Sequence, residues 1–148
     1  MLLKWIVCEV PGGRRLAFSQ AQEQWRSIAT LDGFWGQLGG WSVHDPAHAC
    51  IAGFWRDQIA LERFMQQEHD SIVQRSKQSQ TYASIQVSIF DVDAVAAPLA
   101  TITKVRASRQ MVEFLNDDRL VLRVALHAAS LDADTVLIEP AWTIEPKG

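Results

Sequence analysis

The chain is poor in cysteine, tyrosine and asparagine, and it has no long apolar run and no block of like charge. Its two cysteines, Cys8 and Cys50, do not form a CxxC pair, which argues against a disulfide framework or a zinc site. The expectation is two buried thiols in a reducing cytoplasm. No stretch approaches the roughly 20 apolar residues of a membrane-spanning helix. Met1 to Val7 is apolar but lacks the length and small-residue cleavage site of a signal peptide. The net charge is −3, from 14 basic and 17 acidic residues that are interspersed. Without a Lys/Arg stripe, neither nucleic acid nor an anionic membrane is expected as a partner. The glycines between Gly33 and Gly40 lie in a strand pattern with no helix after them, so no nucleotide-binding loop is read there.

What is present fits one domain, or one domain with an appendage. Apolar residues make up 48% of 148, and six tryptophans stand against the single Tyr82. Indoles suit core, interface or ligand-stacking positions.

Leu2 to Val10 reads as a strand buried on both faces, ended by Pro11-Gly12-Gly13. Arg14 to Ala29 is helical, with Phe18, Ala21, Trp25 and Ile28 on one stripe. Phe34 to Val43 is a second strand, whose Gly36, Gly39 and Gly40 predict a bulge or the close approach of another backbone or a ligand. His44 to His48 is a turn, and Ala49 to Trp55 is the hairpin partner. Asp57 is the expected N-cap of a helix reaching Lys77, with Leu61, Phe64, Met65 and Ile72 on one stripe, Glu68 near its centre and His69 at its edge. Tyr82 to Phe90 alternates as a fourth strand, with Ala83, Ile85, Val87 and Ile89 on one face.

This βαββαβ order predicts an α+β, ferredoxin-like domain over residues 1–93. Residues 91–99 read as a linker, so 94–148 form a mainly β C-terminal extension. In it, strands are expected at Ala100–Arg106, Asp118–Ser130 and Thr135–Ile144, with a turn at Asn116-Asp117-Asp118. Too short for a core of its own, the extension should pack on the first domain or on a partner subunit. A four-stranded sheet with both helices on one side leaves its other face open, and Trp35, Trp41 and Phe54 belong to strands that must bury a side. Either the tail or a second copy must cover that face.

Leu3-Lys4-Trp5-Ile6-Val7-Cys8, Gln22-x-x-Trp25, Gly33-Phe34-x-Gly36-Gln37-x-Gly39-Gly40-Trp41, Gly53-Phe54-Trp55 and His69-Asp70 together resemble the YdbC-like family of small uncharacterised bacterial proteins. The resemblance covers about residues 1–91. By element order the chain also resembles dimeric α/β-barrel proteins of the antibiotic-biosynthesis-monooxygenase type. That resemblance implies a homodimer with a pocket between sheet and helices in each subunit. It also implies activities ranging from cofactor-free oxidation of polycyclic phenols through haem degradation to none known, and fold alone does not choose among them. The haem-degrading members carry an Asn on the first strand and a Trp and a His on the second helix. Here the strand offers Lys4, Ile6 and Cys8, and the helix has Phe64 about where that Trp would fall. Asn116, the one asparagine, lies outside the matched region, so Gln22, Gln37 or Gln86 would have to supply the donors that asparagine gives the phenol-oxidising members.

Glu68-His69 is the catalytic candidate, with His69 as general base and Glu68 tuning it. The alternative pairs Glu68 with Arg14 or Arg63 and bonds His69 to a backbone carbonyl. Trp25, Trp41 and Trp55 could wall a pocket for a flat aromatic ligand, or form core. Cys8 and Cys50 could face each other on adjacent strands. His44 and His48 are read as an exposed turn, and no metal is expected. The expectation is therefore a cytoplasmic homodimer acting without a cofactor on a small aromatic or enolic ligand by monooxygenation or proton transfer. Two alternatives stay open, a non-catalytic ligand-binding or interaction protein and a haem-binding one.

Overall fold

The computed structural model of the protein describes residues 1–93, 97–127 and 130–147. Its first part runs β1 (Leu2–Glu9), α1 (Arg15–Glu23), β2 (Phe34–Ser42), β3 (His48–Trp55), α2 (Gln58–Phe64), α3 (Asp70–Ser76) and β4 (Ser84–Asp91). The strands lie in the antiparallel order β4-β1-β3-β2, the ferredoxin-like arrangement read from the sequence. Apolar composition makes β1 central, and period-2 alternation divides its side chains between two faces. Leu2, Lys4, Ile6 and Cys8 point to the helices, while Leu3 and Trp5 point away.

The helices follow the caps and stripes of the sequence. The Asp57 side chain accepts a hydrogen bond from the Ala60 N–H at 2.8 Å, so α2 starts where an N-cap residue should start it. Lys77, with φ +56°, closes α3 in the left-handed conformation. The first helix is α-helical only to Glu23 and continues as a tighter 3-10 turn over Gln24–Thr30. Its predicted stripe of Phe18, Ala21, Trp25 and Ile28 is buried throughout. Between α2 and α3, Met65–His69 forms one π-helical turn.

The extension is β-structured, as expected, with boundaries of its own. Its strands are β5 (Lys104–Ser108), β6 (Met111–Asn116), β7 (Arg119–Ala125) and β8 (Asp134–Ile138). The strand expected at Ala100 begins instead at Lys104, after a 3-10 turn at Leu99–Thr101. The predicted turn falls between β6 and β7, where Asp117 takes φ +53°. The strand expected over Thr135–Ile144 ends early: β8 stops at Ile138, and Pro140–Trp142 is a 3-10 turn. Residues 94–96, in the middle of the expected linker, and 128–129, near the end of the expected 118–130 strand, lie outside the described residues.

β8 bonds to β2 through Gly40↔Ile138, Trp41↔Leu137 and Ser42↔Val136, joining all eight described strands into one sheet, β4-β1-β3-β2-β8-β5-β6-β7. This sheet folds back on itself. Val105, Val112, Phe114, Val124 and Val136 of the extension pack on Leu3, Trp5, Leu38, Phe54 and Phe90, with the Phe54 and Phe114 rings 5.6 Å apart. Each such fully buried side chain contributes ~1.5–3 kcal/mol of hydrophobic stabilisation. The open face of the ferredoxin-like sheet is thus covered by the chain's own tail. Trp142 is buried on the opposite, helix side, 5.6 Å from Phe18 and 5.5 Å from Trp41, and its Nε1–H donates to Ser19 Oγ at 2.9 Å.

Both expectations for the β2 glycines are met. Gly36, at φ +129°, sits in a β-bulge, and Gly40 lies directly against the Leu137 backbone. The two cysteines are buried as expected but do not face each other. The register Val7↔Cys50 and Cys8↔Ala49 offsets them by one residue, which places their side chains on opposite faces. Among the described residues no helix is long and apolar enough to cross a membrane.

Candidate functional site

A cavity of about 440 Å³ lies between the helices and the sheet, over β1 and β4. Its floor is built by alternate residues of the strands: Lys4, Ile6 and Cys8 from β1, Gln37 from β2, Ile51 and Trp55 from β3, and Ile85, Val87 and Ile89 from β4. Trp25, Leu61, Phe64, Met65, His69 and Val73 form the helical wall. β4 is an edge strand, so its three branched side chains stay half-exposed at the cavity mouth.

The π turn determines which polar residue faces the cavity. In an unbroken α-helix, Glu68 would follow Phe64 on the same stripe after four residues. The extra residue in the turn delays the stripe by one, so that His69 reaches the wall and Glu68 is turned to solvent. The expectation for Glu68 is therefore corrected: it lies outside the cavity. Its expected ion-pair partners are engaged elsewhere, Arg63 with Asp32 at 3.4 Å and Arg14 with the Gln80 carbonyl. The His69 ring is packed 5.7 Å from both Trp25 and Phe64, and its Nδ1 lies 3.1 Å from the exposed Asp70 carboxylate rather than on a backbone carbonyl.

Of the three expected tryptophans, two meet at the cavity. Trp55 stacks on Phe64 at 4.8 Å. Trp25 is held by a buried relay in which its Nε1–H donates to Gln78 Oε1 at 2.8 Å and Gln78 Nε2 donates to Gln22 Oε1 at 2.7 Å. Trp41 is not part of the site. It lies four residues beyond Gln37 on the same face of β2, a displacement of ~13 Å along a strand. There it packs against Phe18 and Trp142, with the Arg15 guanidinium 4.0 Å above its ring. Gln22 and Gln37 line the cavity, whereas Gln86 pairs with Val7 in the register that faces away.

Lys4, which the sequence offered only as one of three residues on the first strand, lines the cavity. It is only 8% exposed, yet no carboxylate among the described residues pairs with it. Its Nζ lies 3.5 Å from Met65 Sδ and 5.6 Å from the centre of the Phe64 ring, and burial lowers its pKa. A lone lysine inside a strand otherwise buried on both faces was the available signal. The Cys8 thiol also lines the cavity, but burial pushes its pKa up to about 12, so it is protonated and poorly nucleophilic at neutral pH. His48, expected in an exposed turn, is instead the half-buried first residue of β3 and pairs with Asp45 at 3.3 Å. Among the described residues no three His, Cys, Asp or Glu side chains gather as metal ligands.

Residues 2–90 match the family described as a domain of unknown function, DUF4937. Over 95 residues the chain is 37% identical to the uncharacterized protein YdbC of Bacillus subtilis strain 168, covering 63% of this chain and 80% of YdbC. It is similar to a solved structure from Lactobacillus acidophilus described as a candidate monooxygenase, with a TM-score of 0.66 and 8% identity over 97% of this chain and 95% of that one. A candidate antibiotic biosynthesis monooxygenase from Nitrosomonas europaea matches with a TM-score of 0.52 and 15% identity, covering 62% of this chain and 97% of that one. At such identities the structural likeness shows the fold alone, a ferredoxin-like βαββαβ unit.

Proposed function

The chain belongs to the DUF4937 family, and from the geometry of its cavity we propose that it binds a small flat aromatic or enolic ligand and converts it without a cofactor, by monooxygenation or proton transfer. The observation that carries this reading is the placement of His69. A π turn brings the one side chain that ordinarily exchanges protons near neutral pH onto an otherwise apolar wall, beside Trp25 and Phe64. Trp25 and Trp55 offer faces for a planar ligand, and Gln22 and Gln37 supply amide donors at the cavity.

In this proposal the His69 imidazole removes a proton from a phenol, an enol or an acidic C–H of the ligand. The resulting electron-rich anion can react with O2 directly. One oxygen atom enters the ligand and the other leaves as water, at the expense of two ligand hydrogens. Where O2 does not take part, returning the proton to another atom gives isomerisation.

We carry the expected homodimer within the proposal, on changed footing. The tail already covers the sheet face that first called for a second copy. The surface left is the free edge of β4, where Ile85, Val87 and Ile89 are half-exposed, and a copy paired there would also close the cavity mouth. The cytoplasmic location is kept on the strength of the two free thiols.

The test is O2 uptake and product analysis over a panel of polycyclic phenols, comparing His69→Ala with Glu68→Ala. The proposal expects turnover to vanish in the first variant and persist in the second, with near-native circular dichroism in both. Turnover that survives His69→Ala removes His69 as the base, and ligand binding without turnover in the unaltered protein reduces the reading to a binding protein.

A further inference from the structure

Lys4 has an uncompensated charge in a mainly apolar cavity. One row of side chains crosses the sheet through Gln37, Gly53, Lys4 and Ile89, since Gly53 pairs with both Gln37 and Lys4, and Lys4 pairs with Ile89. At the centre of that row Gly53 has no side chain. A methyl carbon placed on it would lie 3.4 Å from Gln37 Oε1 and 3.8 Å from Trp55 Nε1, with no clash. The position above Gly53 thus has room for a methyl group, with the Gln37 side-chain oxygen and the Trp55 indole N–H nearest to it. The indole N–H groups of Trp25 and Trp142 donate to Gln78 and Ser19, while that of Trp55 has no partner among the described residues. A buried ammonium whose nearest neighbours are a thioether and an aromatic ring is costly, and an anion is what would compensate it.

Resting on the reading that the cavity takes a flat ligand, we infer that this ligand binds as a monoanion, a carboxylate, phenolate or enolate, with its charged oxygen on the Lys4 ammonium. Lys4 is then both anchor and selector. It holds the anion His69 would generate from an enol or phenol, and it favours a ligand that arrives already ionised over its neutral analogue.

The experiment is isothermal titration calorimetry with two probes of one shape, 2-naphthoate and the neutral 2-naphthamide, on the unaltered protein and Lys4→Met. The inference expects the unaltered protein to prefer naphthoate by about tenfold or more, the size of a charge-assisted hydrogen bond. Lys4→Met should erase that preference while still binding the amide. Equal binding of the two probes by the unaltered protein, or a preference that persists in Lys4→Met, overturns the inference and leaves the cavity reading standing. If neither probe binds, the cavity reading fails and the inference goes with it.

Discussion

Gly40 on β2 and Leu137 on β8 meet backbone to backbone, with no room for a side chain between them: a Cβ on Gly40 would run into the Leu137 carbonyl. This contact lies in a three-pair seam that joins the ferredoxin-like sheet to the strands covering it. Gly40→Ala is therefore expected to force the seam apart and cost ~1–3 kcal/mol, the range of overpacked sites. Urea denaturation should show a lower midpoint, with increased binding of a hydrophobic dye as Phe54 and Phe114 part. An unchanged midpoint would mean that the seam yields freely.

The Asp57 carboxylate caps α2 through the Ala60 N–H and also pairs with Arg56, and that backbone bond, ahead of Arg56, holds its pKa below the usual carboxylate range. A depressed folded-state pKa gives stability that is present above the unfolded value, near 4, and lost as pH falls through the folded one. Asp57→Ala should lower the thermal midpoint at pH 7, whereas Asp57→Ser should restore most of it. The gap between Asp57→Ala and the unaltered protein should close below about pH 4. A gap that stays constant into acid would assign the loss to something other than the cap charge.

Burial lowers the pKa of Lys4, which makes this lysine a stability cost wherever the unfolded chain is protonated and the folded one resists protonation. Between the lowered folded value and the unfolded value of about 10.4 the unfolded state binds more protons, so this term increases stability as pH rises. Lys4→Met should stabilise the protein by ~1–2 kcal/mol at pH 7 and remove that pH-dependent term. The check is the difference in unfolding free energy between the two proteins across pH 7 to 10. If Lys4→Met is less stable, the ammonium has a partner that compensates it.

The thiols act in the opposite direction. Burial pushes Cys8 and Cys50 up to about 12, while an unfolded thiol ionises near 8.5. Their contribution is fully present below the unfolded value and is lost as pH rises through the folded one. Thermal midpoints should fall steadily above about pH 9, and the fall should be shallower in Cys50→Ala. Equal slopes in the two proteins would show that Cys50 ionises without unfolding.

What could be read early was whatever depends on neighbours in sequence. The alternation of Tyr82 to Phe90 placed Ile85, Val87 and Ile89 together on what proved to be the cavity face. Asp57 announced its helix because an N-cap acts within three residues, and Gly36 announced a bulge because few other residues tolerate its φ of +129°. Local patterns also led to error where they assumed an unbroken repeat. The stripe through Leu61 and Phe64 pointed to Glu68 because it was counted at 3.6 residues per turn, and no side chain signals the extra residue of a π turn. The side that Lys4 takes was not legible because a strand buried on both faces has no alternation to mark it.

By itself, then, the sequence determined the ferredoxin-like order of elements, their caps and turns, and the two faces of the fourth strand. Backbone conformation and period-2 or period-3.6 burial are local properties. Only the tertiary structure decided that the tail covers the open sheet face, that Trp41 packs with Trp142 away from the cavity, and that Lys4 lies buried in the cavity against Met65 and Phe64. Each of these depends on residues brought together from separate strands or turns. Such meetings are set by register and the closing of the sheet, for which a run of neighbouring residues contains no periodic signal.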